Sequence, residues 1–95
     1  MNGKDILLVL AHLFRSRGSV VSIENAVECL SFRWRFGSPS NIRRMLTLAL
    51  NNELISREGE NIKSEFLFDH QEISPNLAHH LAGKVQVGSE LEPIH

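Results

Sequence analysis

An α+β domain is predicted by three observations. Apolar residues recur at helical spacing from Ile6 to Phe14 and again from Ile42 to Leu50. Ser38-Pro39 supplies an N-cap followed by a residue suited to the first helical position. Two short alternating runs flank the charged Gly/Asn turn Glu58-Gly59-Glu60-Asn61, a hairpin signal.

The first helix is expected over residues 4–16. Ile6, Val9, Leu10, Leu13 and Phe14 form its core stripe, and Gly18 is its stop, with Arg15 and Arg17 near the negative end of the helix dipole. Leu7, Leu8 and Ala11 fall outside the stripe, so this helix is apolar nearly all round. Ser19-Val20-Val21-Ser22 is too short for an independent strand but can pair briefly with a hairpin. Ser22 caps a second helix, Ile23 to about Trp34, burying Ile23, Ala26, Val27, Leu30 and Trp34.

Phe36-Gly37-Ser38-Pro39 then breaks the chain, and a third helix runs from Pro39 to about Asn52. Ile42, Met45, Leu46, Ala49 and Leu50 face inward. Ser40, Arg43, Arg44, Thr47 and Asn51 share one outer arc of about a quarter turn. The runs Leu54–Arg57 and Ile62–Phe66 make the hairpin. Helix, short extended piece, helix, turn, helix, hairpin is the order of a winged helix-turn-helix. Ser74-Pro75 opens a short fourth helix through His79-His80-Leu81, ended by Gly83. Residues 1–84 are thus read as one domain, and residues 85–95 as a flexible tail.

Composition restricts the function classes. A chain of 95 residues has room for one core and little for a second lobe. The single cysteine, Cys29, excludes an internal disulfide framework and a Cys-rich zinc site, and fits a reducing compartment. Ile6–Phe14 resembles a signal-peptide core, but Asp5 and His12 interrupt it and no small-residue cleavage site follows. The run is too short to span a bilayer, so no membrane association and a cytoplasmic location are expected. Charge is polarised: residues 1–50 carry seven Lys and Arg against three Asp and Glu, and residues 51–95 carry three against eight. Such a split points to an anionic partner on the basic side.

LSFRWRFGSPSNIRRMLTLALNNELISREGE (Leu30–Glu60), followed by Phe68-Asp69, Ile73 and Pro75, resembles a family of small archaeal proteins of unknown function. The resemblance spans roughly residues 30–76. It rests on the Leu-Ser start, the aromatic ahead of Ser-Pro, the apolar helix with a basic residue, the charged turn and the Phe-Asp pair. It implies an archaeal source and a winged-helix-like fold, and brings no known activity. Two departures stand out. Asn52-Glu53-Leu54 replaces a glycine-containing turn, and the basic Arg33–Phe36 replaces an acidic segment, so the electropositive edge need not be a family trait.

On the outer arc of the third helix, Ser40, Asn41, Arg43, Arg44 and Thr47 are placed to meet base edges of double-stranded DNA, and Arg33 and Arg35 to hold phosphate. The competing reading is a solvated helix face. Glu58 and Glu60 in the wing oppose DNA by like-charge repulsion, so a monomer would bind weakly unless a dimer doubled the contacts. Leu7, Leu8 and Ala11 suggest a different function, a protein interface. They would be covered by a second copy, by another protein, or by this chain's own segment bearing Leu77 and Leu81.

No enzyme, cofactor or metal site is expected. Adjacent His79 and His80 point about 100° apart on a helix, and His12 and His70 add no ligand spacing. Cys29 reads as a buried structural thiol, the glycines form no phosphate loop, and no carboxylate pair stands out. Phe32, Trp34 and Phe36 alternate with arginines as single-strand binders do, but aromatics at a helix-to-turn transition are more commonly core residues. The leading expectation is a DNA-binding domain of a regulatory or architectural kind. The alternative is a protein-interaction module using the first helix and the acidic hairpin.

Overall fold

Apolar spacing at the start of the chain folds as helix α1, Gly3–Arg17, in a computed structural model that describes residues 3–73, 76–88 and 90–95. The Gly18 amide donates to the Phe14 carbonyl at 2.7 Å, and Gly18 takes a φ of +94°, which ends the helix. Strand β1, Val20–Ser22, follows. Ser22 caps α2, Ile23–Val27, its hydroxyl accepting from the Asn25 amide at 3.1 Å. α2 then widens into a π-helical turn, Glu28–Arg33, where one uninterrupted α-helix was expected.

Helix α3, Pro39–Asn51, starts as the sequence indicates, with the Ser38 hydroxyl accepting from the Asn41 amide at 3.2 Å. Strands β2, Ile55–Glu58, and β3, Asn61–Ser64, form the hairpin around Gly59, whose φ is +62°. A 3-10 turn at Phe68–His70 and the short helix α4, Leu77–His80, complete the fold. The proposed opening of that last helix at Ser74-Pro75 lies outside the described residues.

The fold is α+β, with a three-stranded antiparallel sheet in the order β1-β3-β2. β1 does pair with the hairpin, Val21 opposite Ile62, while Arg57 on β2 faces Ile62 from the other side. Ile62 is therefore central and fully buried, and it meets a core of Val9, Leu10, Leu13 and Phe14 from α1, Leu30, and Ile42, Met45, Leu46 and Ala49 from α3. The five stripe positions expected on α1 are all buried.

Two expectations need correction. Ala11, placed off the core stripe of α1 as a candidate interface residue, has no exposed surface, and Leu8 is half-buried against the core. α1 is covered on more than one side: Phe66 and Phe68 close over Phe14, and Trp34 lies 4.3 Å from His12 between ring centres. Arg15 fastens the segment after β3 onto α1 by donating to the carbonyls of Phe68 (3.3 Å), Asp69 (2.9 Å) and Gln71. Leu77 and Leu81 join the same core.

Within the segment 85–95, expected as a loose tail, Val85 and Ile94 lie against the domain. The Gly83 amide donates to Arg35 O and the Val85 amide to Phe36 O, both at 2.8 Å, and the side chains of Val85 and Ile94 are buried. The physical reason is that scattered apolar residues in a polar stretch suffice once a preformed core offers somewhere to bury them.

Gly37 reports on this docking. A Cβ there would stand 2.8 Å from the Val85 carbonyl oxygen and 3.0 Å from its Cβ. Gly37→Ala is expected to lower stability by about 1–3 kcal/mol in urea unfolding, because backbone must move. An unchanged midpoint would mean that residues 83–85 do not pack on this corner. A second expectation concerns pH. Burial among aromatic rings pushes the His12 pKa below its ordinary value. The unfolded chain therefore binds the proton more readily, and stability should fall as pH drops below about 6.5. His12→Phe should flatten the dependence over that window in thermal melts, and an unaltered profile would remove His12 as its source.

Candidate nucleic-acid interface

The arginine-rich corner is held from inside. The Trp34 amide donates to Cys29 O and the Phe36 amide to Leu30 O, each at 2.9 Å, so the π turn runs directly into the break before α3. The Ser31 hydroxyl donates to Gly37 O at 2.8 Å, and Phe36 is fully buried. Between these fixed points Arg35 takes a φ of +56°, a left-handed conformation costing a non-glycine residue about 1–2 kcal/mol. Strain of this order persists only where surrounding structure imposes it. Arg33 and Arg35 are both exposed, and neither side chain has a hydrogen bond or ion pair among the described residues. Phe32, at 66% exposure, projects from the same turn.

Two features of this corner were missed from sequence. Lys84 is exposed and follows Gly83, whose amide bonds Arg35 O, so the backbone brings a third basic residue to this corner. Its proximity depends on a contact between residues almost fifty positions apart, for which the sequence holds no local signal. The π turn is likewise a shift in backbone hydrogen bonding without a compositional mark.

On α3 the five candidate residues divide. Ser40 is exposed and Asn41 half-buried at the N-terminal turn. Arg43 is engaged: one nitrogen donates to Glu24 Oε1 at 2.9 Å and another to Ile94 O at 3.0 Å, while the Ile94 amide donates back to Arg43 O at 3.2 Å. The Glu24 carboxylate is 81% exposed, so that ion pair contributes at most about 1 kcal/mol. The Thr47 hydroxyl lies within hydrogen-bond distance of Glu92 O as well as of Arg43 O within its own helix. Arg44 is half-buried, and its Nε is buried without a hydrogen-bond partner among the described residues. Of the side chains expected to reach base edges, Ser40 is exposed, while Arg43 and Thr47 in the middle of the arc are bonded to Ile94 and Glu92.

Elsewhere the surface is less suited to an anion. Arg57 of β2 donates to Gly59 O at 2.8 Å and to His95 O, while Glu58 and Glu60 are exposed. A cleft of about 240 Å³ beside them is lined by Ser22, Ile23, Glu24, Glu60 and His95, and its two carboxylates would repel phosphate. Cys29 is a buried free thiol that accepts a hydrogen bond from Arg17 Nε at 3.2 Å. Among the described residues no group of three or more His, Cys, Asp or Glu is arranged to hold a metal ion, and no helix is long and apolar enough to cross a membrane. No protein-family model, curated protein or solved structure matches the chain.

The buried position of Ala11 bears on the alternative interface and can be checked directly. Ala11→Glu would place a carboxylate in the core and is expected to cost several kcal/mol, at least about 3, abolishing the cooperative melt followed by circular dichroism. A variant that stays folded but changes its elution on a sizing column would instead put Ala11 at a contact between molecules.

Proposed function

We propose that the chain is a winged helix-turn-helix domain that binds double-stranded DNA through the corner between the π turn and α3. The element order and the sheet order β1-β3-β2 support the winged-helix reading. The observation that carries the DNA reading is the pair Arg33 and Arg35, exposed and without side-chain partners among the described residues, on a backbone fixed from within. Guanidinium groups bond phosphate oxygens in paired fashion, and a backbone fixed in advance leaves only the two side chains to be ordered on binding.

In this reading Arg33 and Arg35, with Lys84 beside them, hold the phosphate backbone. Ser40 and Asn41 at the start of α3 come next to the duplex, and Arg43, Arg44 and Thr47 supply the groove-facing contacts. Few phosphates are engaged, so binding is weak and falls steeply with salt. The alternative, a protein interface on α1, is left with half-buried Leu7 and Leu8 after Ala11 is taken into the core.

Fluorescence anisotropy with a generic duplex at two or more salt concentrations tests the proposal. Arg33→Ala with Arg35→Ala should weaken binding about tenfold or more at low salt and reduce the slope of log K against log salt by about two. The melting temperature should be unchanged, because neither side chain has a described partner to lose. Absence of binding at low salt, or a slope untouched by the double substitution, would sink the corner as a DNA contact.

A further inference from the structure

The C-terminal segment is seated where a winged helix would meet DNA. Its amide and carbonyl at Ile94 exchange hydrogen bonds with Arg43, Glu92 O receives the Thr47 hydroxyl, and His95 O receives Arg57. One short stretch thus bridges α3 and the hairpin strand β2, occupying a helix donor set and a wing cation together. Ile94, 5% exposed, anchors it, and Pro93 restricts the backbone just before that anchor. Glu90 and Glu92 are exposed on the same stretch and present negative charge to any approaching phosphate.

We infer that residues 90–95 are an autoinhibitory strap that competes with DNA for Arg43, Thr47 and Arg57. The inference rests on the DNA-binding reading above and adds its regulation. In the strapped state the corner cations remain open to a duplex while Arg43, Thr47 and Arg57 are engaged. In the released state the donors of α3 and β2 turn to phosphate and base edges. A binding-competent state that is only fractionally populated lowers the apparent affinity by that fraction. The strap's one buried side chain is Ile94, with Leu91 and Pro93 half-buried. The remaining core is built from α1, α2, α3, the sheet, α4 and Val85, so release leaves it in place.

Two measurements on the full chain decide it. First, amide exchange at Ile94 is followed as the parent protein is titrated with duplex DNA. Loss of protection at Ile94 on binding is expected, and protection retained in the complex would overturn the strap as a competitor. Second, Ile94→Ser should accelerate exchange at position 94 and tighten duplex binding roughly tenfold, the factor for a closed state holding about nine-tenths of the molecules. Pro93→Gly is the companion variant, since it loosens the strap with every buried side chain retained. A strap freed by either substitution, with affinity unchanged but still lost in the Arg33 and Arg35 variant, would overturn the inference while leaving the DNA reading intact. No duplex binding by parent or by freed variants would overturn both.

Discussion

Phe36 is the residue on which the arrangement of this domain turns. Its ring has no exposed surface and packs near His12 and Trp34, with ring centres 6.1 Å away in each case. Its amide closes the π turn by bonding Leu30 O, and its carbonyl receives the Val85 amide. One buried aromatic thus joins α1, the end of the second helical segment, the break before α3 and the C-terminal segment. Burying such a side chain is worth about 1.5–3 kcal/mol, and truncating it typically costs about 3–5 kcal/mol because the cavity does not close. The left-handed Arg35 follows from this. With Trp34 and Phe36 both tied by their amides to the turn behind them, the residue between them is left to make the reversal, and its side chain is directed away from the core.

The forces on the two sides of α3 differ in kind. Its inner face is held by Ile42, Met45, Leu46 and Ala49, all without exposure, and that packing is insensitive to salt. Its outer face is held by the strap through carbonyl acceptors and one buried isoleucine, with an exposed ion pair to Glu24 that contributes little. A duplex would offer the same donors a row of charged oxygens, and charge-assisted hydrogen bonds are about twice as strong as those to neutral carbonyls. The strap compensates by being part of the same chain, which gives it a high effective concentration. In the proposed competition, rising salt would weaken the phosphate contacts and leave the apolar anchor untouched, shifting the balance toward the strapped state.

Local signals were legible in the sequence, and long-range ones were not. The α1 stripe, the Ser38-Pro39 start of α3 and the Gly59 hairpin each depend on residues within one or two turns of one another. β1 was legible only as a short piece able to pair, since its partner β3 lies forty residues away. Ala11 lay off the single stripe, and whether a partner or this chain covered it could not be read locally. Here the π turn and the segment after β3 also close on α1. Within the candidate site, the exposure of Arg33 and Arg35 could be read from the break around Gly37. The engagement of Arg43 and Thr47 could not, because it joins residues some fifty positions apart in a stretch with two isolated apolar anchors, Val85 and Ile94.

The uneven distribution of charge along the chain survives folding, and that constrains what the strap can be. If the acidic second half served to neutralise the basic first half, carboxylates of residues 51–95 would be expected on the arginines of the corner and of α3. The carboxylate that Arg43 meets is Glu24, from the basic half itself. The strap meets Arg43 and Thr47 through the main-chain carbonyls of Ile94 and Glu92. It meets Arg57 through an oxygen of His95, the last residue of the sequence, while the side chains of Glu90 and Glu92 are exposed. A carbonyl satisfies a guanidinium donor without cancelling its charge. The strap therefore occupies donors of Arg43 and Thr47 without adding a carboxylate to Arg43, whose ion pair is with Glu24. A strap that had paired its own carboxylates with Arg43 would have offset charge as well as occupied donors.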